Sequence, residues 1–143
     1  MYCNDDIIKF MIKLRAFEKS DIPEVEDFWK KEYRVSKRDD KDRMGVFIEK
    51  NAGLSTVAED SGVIIGTTLG SYDGRKGYIQ KVAVSNAYRG KGIGKMLVDE
   101  TVKKLKDAGA LDIRVGCGGE LTPFYEKCGF KMETIVPMKI KNY

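Results

Sequence analysis

Residues 78–95, YIQKVAVSNAYRGKGIGK, constrain the fold of this chain more than any other stretch. Residues 78–84 are rich in β-formers, and residues 93–108 repeat apolar side chains at the spacing of an amphipathic helix. The sequence therefore predicts a strand that turns sharply into a long helix ended by Gly109. The last seven residues of VAVSNAYRGKGIGK hold three glycines and three cations. Gly90, Gly92 and Gly94 permit unusual dihedrals and let an anion approach the backbone N–H groups. A helix that begins inside the turn adds free N–H groups and the positive end of its dipole. Arg89, Lys91 and Lys95 add charge, so a pyrophosphate is the natural guest. The plainer alternative is a glycine turn that only joins strand to helix.

Two familiar nucleotide motifs fail here. A P-loop needs Gly five residues before its Gly-Lys pair and Ser or Thr after it, and no Gly stands at the first position, with Met96 where the hydroxyl belongs. The dinucleotide fingerprint that would begin at Gly90 requires a glycine at position 95, which is Lys95.

The rest of the chain predicts a mixed α/β order. Residues 11–17 alternate as a strand. Asp21, with Glu24 three residues on and Pro23 in the first turn, marks a helix start that places Val25, Phe28, Trp29 and Tyr33 on one face. A second helix covers residues 41–50. Strands at 54–59 and 63–69 are joined by the Asp60-Ser61-Gly62 turn. A short strand at 111–115, a short helix at 121–128 and one or two final strands within 130–140 follow. At 143 residues this is expected to be a single domain over 1–143.

The chemistry available is narrow. With no histidine, a Ser-His-Asp or Cys-His device is excluded, and a zinc site would lack its commonest ligand. Cys3, Cys117 and Cys128 are odd in number and have no CxxC spacing, so no metal is expected. The net charge of +4 permits an anionic ligand. Acidic Asp99, Glu100 and Asp107 interrupt the lysines of the long helix, and no stacking aromatics interleave them, which argues against nucleic acid. No apolar run reaches the ~20 residues of a membrane span. The first ten residues carry two acids and no apolar core, so a cytoplasmic protein with no membrane association is expected.

Arg89-Gly90-Lys91-Gly92-Ile93-Gly94 matches R/Q-x-x-G-x-G/A, and Phe124-Tyr125-Glu126-Lys127-Cys128-Gly129-Phe130 matches [LF]-Y-E-K-x-G-F. The chain thereby resembles the GNAT superfamily of N-acetyltransferases, in detail from about residue 54 to 130. The resemblance implies a GNAT-type mixed α/β fold, with a central twisted mixed sheet of six or seven strands flanked by about four helices. It implies acetyl-CoA as cosubstrate and direct transfer of the acetyl group to a primary amine, of a small molecule or a protein. Residues 89–95, Arg89, Gly90, Lys91, Gly92, Ile93, Gly94 and Lys95, would grip the pyrophosphate. Val82, Ala83 and Val84 would pair with the pantetheine arm and present an N–H to the thioester carbonyl. Tyr125 would be the general acid that returns a proton to the thiolate.

The same resemblance leaves features open. Some members carry a catalytic Glu on the strand that here holds Tyr78 and Gln80, and many carry Asn and Ala where this chain has Gly118 and Leu121. Water, Glu59 and Glu120 are the candidate routes for the amine proton. Trp29, Tyr33 and Phe47 are candidates for either an acceptor pocket or the core. Cys128 is expected to be a packed thiol. A non-catalytic acetyl-CoA-binding module is the alternative function, and a homodimer is open.

Overall fold

The computed structural model describes residues 4–141 of the chain. Cys3 lies outside the described residues. In chain order the elements are α1 (Asn4–Met11), β1 (Lys13–Ala16), α2 (Ile22–Glu32), α3 (Lys41–Lys50), β2 (Thr56–Asp60), β3 (Val63–Tyr72), β4 (Lys76–Val84), α4 (Ile93–Ala108), β5 (Asp112–Val115) and α5 (Thr122–Lys127). Among the described residues these strands form one sheet in the order β1-β2-β3-β4-β5. The first three pairings are antiparallel, and β4–β5 is parallel because α4 carries the chain back to the sheet.

Alternation along the strands divides the core between the two faces of the sheet. Val57 and Ile64 join Phe17, Trp29, Met44 and Leu69 under α2 and α3. Their neighbours Ala58 and Ile65 face the other way, with Ile12, Ile93 and Leu97 of α4. Farther along α4, Val98 and Leu105 meet Ile79 and Tyr125. Close approach of α4 to the sheet requires Gly70, where a Cβ would lie 2.5 Å from Leu54 O and 2.8 Å from Thr101 Cγ2. Beside it, Thr56 and Thr101 share a buried hydroxyl–hydroxyl bond of 3.0 Å, and Lys104 Nζ donates to Thr56 Oγ1 at 2.9 Å.

Helix α4 spans the predicted 93–108 because left-handed glycines close both ends, Gly92 at φ 84 and Gly109 at φ 111. Gly109 N donates to Lys106 O and Ala110 N to Leu105 O, both at 3.0 Å, the paired bonds of a Schellman stop. Helix α3 is capped by Asp40, whose carboxylate accepts from Arg43 N at 2.9 Å. The start of α2 differs from the predicted cap. Asp21 turns back to accept from Glu18 N at 2.8 Å and from Arg15, so its charge ties the helix start to β1.

The expectation of six or seven strands is corrected to five, and the about four flanking helices to five. Residues 130–141 alternate apolar and polar positions, yet they form no strand. Alternation requires only that one face can be buried, whereas a strand also needs a neighbouring edge to accept its N–H and C=O groups. No such edge meets this segment among the described residues, and Met132 and Met138 are 78% and 93% exposed. The extra helix is α1, whose last residue Met11 was expected to open the first strand.

Candidate active site

Strand β4 determines the site's shape in two ways. First, β3 advances two residues from Thr67 to Leu69 while their partners advance three, from Ala83 back to Gln80. The extra residue is a bulge, with Lys81 in the left-handed region at φ 51. Second, pairing with β5 ends at Ile79–Val115, although β4 continues to Val84. From Gln80 onward the β5-facing edge of β4 has no strand partner among the described residues. The two strands part, leaving backbone groups open to an extended, amide-bearing ligand.

The glycine turn lies directly after that edge. Ser85-Asn86-Ala87-Tyr88 fold into a short 3₁₀ turn, then Gly90 at φ 76 and Gly92 at φ 84 bend the chain into α4. A Cβ at Gly90 would meet nothing within 4 Å, so the turn is open at that residue, whereas one at Gly92 would lie 2.8 Å from Lys9 Cε. The N–H groups of the first turn of α4 have no intrahelical acceptor and point toward that opening. The turn offers the clustered backbone N–H donors that a diphosphate needs.

The turn's cations have different employments. Arg89 folds back, its Nε donating to Val84 O at 2.9 Å and its Nη2 to Glu32 O at 3.1 Å. It fastens the turn to the end of α2, and it occupies the Val84 carbonyl that a pantetheine arm could otherwise use. Lys95 pairs with Asp99 one helical turn on, at 2.5 Å. The Glu32 carboxylate accepts from Asn86 N at 2.6 Å and Ser85 Oγ at 3.1 Å, completing the bracing of this corner.

Tyr125 shares a cluster with Ile79 and Val82 of β4 and Ile113 and Val115 of β5. It is 8% exposed and packs edge-on against Phe124 and Phe130, with ring centroids 4.9 and 5.9 Å away. Burial pushes its phenol up to about 12, and the nearby Cys117, Tyr33 and Cys128 add to the shift. The phenol is therefore protonated at neutral pH. Val82 packs against the same cluster, as do Phe124, Phe130 and Cys128, whereas Ala83 faces α2 and Val84 faces Ile93 and Leu97. Burial raises the Cys128 thiol, which suits a packed side chain more than a nucleophile.

Tyr125 also lines a cleft of about 760 Å³ running along β5 between Val115, Cys117, Cys128 and the segment from Phe130 to Pro137. None of residues 89–95 lines it, so cleft and turn are separate features.

Of the candidate acceptor aromatics, Trp29 is buried at 1% exposure, its indole N–H donating to Thr67 Oγ1 at 2.9 Å, and Phe47 packs on the same core. Tyr33 is 43% exposed and close enough to influence Tyr125. The residue that sequence reasoning missed is Lys81. Its Nζ contacts Asp39 Oδ2 and Arg34 O, both at 2.9 Å, and lies over the Trp29 and Tyr33 rings at 4.7 and 5.2 Å. No local signal marks a lysine for a left-handed bulge. Glu59 is held by Arg15 on the β1–β2 side of the sheet, with Nε to Oε2 at 3.0 Å. Glu120 is exposed and folds its carboxylate over Gly118. Among the described residues, neither carboxylate contacts Tyr125 or the turn.

Comparison with known proteins places this geometry. Residues 22–130 match the profile described as the Acetyltransferase (GNAT) family. Glucosamine 6-phosphate N-acetyltransferase 1 of rice (Oryza sativa subsp. japonica) is 32% identical over 85 residues, which are 59% of this chain and 52% of that protein. The chain thus spans about half the length of that relative. Glucosamine-6-phosphate N-acetyltransferase from Arabidopsis thaliana shares the fold at a TM-score of 0.69 and 24% identity, over 92% of this chain and 99% of the other. The PaiA N-acetyltransferase of Thermoplasma acidophilum, solved in complex with coenzyme A, shares it at a TM-score of 0.74 and 22% identity, over 87% and 92%. With the family profile covering about three quarters of its length, the chain belongs to the GNAT acetyltransferase family.

Proposed function

We propose that the protein is an acetyl-CoA-dependent N-acetyltransferase that moves the acetyl group directly from the thioester to a primary amine. The observation that carries this reading is the parting of β4 from β5 after Ile79, on the strand that leads into the glycine turn and whose Val82 shares a cluster with Tyr125. A thioester donor supplies an activated acyl group. The protein's own residues hold it and move protons.

Backbone N–H groups of residues 89–95 bind the diphosphate, with Lys91 and Lys95 contributing charge once Lys95 exchanges Asp99 for phosphate. The edge of β4 at Val82 and Ala83, and at Val84 once Arg89 releases its carbonyl, binds the amide arm in the manner of an added strand, and a main-chain N–H there stabilises the developing oxyanion. The protonated Tyr125 phenol donates to the departing sulfur. With Glu59 paired to Arg15 and Glu120 turned onto Gly118, the amine proton leaves through ordered water. The acceptor enters on the α2 side, where Tyr33, Lys81 and Asp39 sit beside the bulge. The rice relative's name directs the first acceptor to try, an amino sugar phosphate, followed by amino acids and peptide amines.

A thermal-shift titration with acetyl-CoA tests donor binding, because a ligand that binds only the folded chain raises Tm. An amine panel followed by thiol release tests transfer. Stabilisation without thiol release from any amine would favour a non-catalytic binding module. No stabilisation by acetyl-CoA would remove the proposal altogether.

A further inference from the structure

We propose that Lys9, on the helix α1 that precedes the segment matched to the family, is a fourth cation of the glycine turn and contacts the donor's diphosphate. The inference rests on the turn being the diphosphate site and adds a group from outside residues 22–130.

Successive side chains of helix α1 do different work. Ile8 packs on the cluster of Ile12, Ala58, Ile65, Ile93 and Leu97, which contains the first residue of α4. The same apolar contact therefore positions both α1 and the start of α4. Lys9, next in sequence, projects onto the turn itself. A Cβ at Gly92 would lie 2.8 Å from Lys9 Cε and 2.9 Å from Lys9 Nζ, so the ammonium rests over the left-handed glycine. Any side chain at position 92 would displace it.

Among the described residues, the Lys9 ammonium has no hydrogen-bond or ion-pair partner. The cations native to the turn have partners of their own, Arg89 in Val84 O and Glu32 O, Lys95 in Asp99, and Lys91 likewise. A phosphate held by the N–H groups of residues 90–95 would lie within a few ångströms of Lys9, where a charge-assisted contact forms without breaking another. A flexible lysine stem also lets the ammonium follow the phosphate as the ligand seats. Helix α1 then becomes part of the donor site.

The test is calorimetric titration of coenzyme A into the whole chain, its Lys9→Met and Lys9→Arg variants, and Lys50→Met as a charge control on the exposed end of α3. Methionine keeps the apolar stem, and Lys9 is exposed, so the variant folds. Lys9→Met is expected to weaken binding about tenfold at low salt, with Lys9→Arg close to the parent and Lys50→Met unchanged. The difference should shrink in 1 M salt, where the screening length falls to about 3 Å.

Equal affinity for Lys9→Met and Lys50→Met would overturn the proposal, leaving Lys9 only a partner for the C-terminal dipole of its own helix. Tighter binding by Lys9→Met would overturn it in the other direction, making the lysine an obstruction. If the parent chain and all variants fail to bind coenzyme A, the turn itself has been misread, a distinguishable failure.

Discussion

Lys81 Nζ and Asp39 Oδ2 are 2.9 Å apart, joining the bulge of β4 to the short turn that precedes α3. The bulge places a lysine in the left-handed region, which costs a side chain with a Cβ about 1–2 kcal/mol. Asp39, Arg34 O and two aromatic rings hold the ammonium there and offset that strain. The pair connects the residue that kinks β4 to the segment before α3, beside which the proposed acceptor would enter.

Asp39→Asn should therefore lower both stability and acceptor recognition. Both side chains are largely buried, at 16% exposure for Lys81 and 7% for Asp39, and removing one charge strands the other. A loss of about 2 kcal/mol is expected by denaturant titration. Desolvation raises the Asp39 carboxyl, but the bonds from Lys81 and Ser36 together with the Lys81 charge outweigh it and hold it below the usual carboxylate range. A lowered folded value means that the stabilisation is present above the ordinary carboxylate pKa of about 4 and lost as pH falls through the folded value. Parent and Asp39→Asn curves should differ at pH 7 and converge in acid. A gap that persists below pH 2 would contradict the ion pair.

Tyr125→Phe separates chemistry from binding. The ring packs against Phe124 and Phe130, contacts that phenylalanine keeps, so fold and donor affinity should be preserved. Loss of the proton donor should reduce kcat about 100-fold. Because burial pushes the phenol up to about 12, it stays protonated well above neutrality, and the parent should show no alkaline loss of activity from this group below about pH 11. Unchanged kcat in the variant would remove Tyr125 from the mechanism.

Two glycine substitutions should fail differently. Gly92→Ala forces φ 84 on alanine and meets only the flexible end of Lys9, so the protein should fold with Tm lowered by about 4 °C and weakened coenzyme binding. Gly70→Ala meets the Leu54 carbonyl at 2.5 Å, a rigid backbone atom, and should lower Tm by more than about 10 °C or abolish folding. Differential scanning calorimetry with and without coenzyme A distinguishes the two. Equal loss of stability would mean that the turn is a structural joint and nothing more.

How far the sequence could be read depended on whether a local pattern was sufficient. Helix α4 was legible to the residue because Gly92 and Gly109 carry its boundaries in their own dihedrals. The sharp joint between β4 and α4 and the short helix that holds Tyr125 were legible because glycine spacing and the Pro-led run 121–128 act without three-dimensional context. Helix α1 was not. Its eight residues run into an alternating stretch, and only the seating of Ile8 on Ile93 and Leu97 decides for helix. The final strands failed for the opposite reason, since a sound period-two pattern has no edge to pair with among the described residues. Lys81 was invisible because a left-handed lysine is stabilised by residues more than 40 positions away.

Glu32 offers a test of whether the corner beneath the turn matters to donor binding. Its carboxylate accepts from Asn86 N and Ser85 Oγ, and Arg89 reaches its main-chain oxygen, so the end of α2 and the start of the turn move together. The Asn86 N–H holds the carboxyl below its usual range against partial desolvation, helped by the Ser85 hydroxyl and the charges of Arg89 and Lys31. Glu32→Ala should raise the donor KM severalfold while leaving kcat near that of the parent, because the brace positions phosphate ligands and touches no reacting atom. A depressed folded pKa implies that the brace is intact above the ordinary carboxylate value of about 4 and released only as pH falls through the lower folded value. The parent's donor affinity should therefore decline in acid while that of Glu32→Ala, already weak, stays level, as read by coenzyme titration across the pH range in which the chain remains folded. A variant whose affinity matches the parent at neutral pH would show that the turn holds its shape without α2.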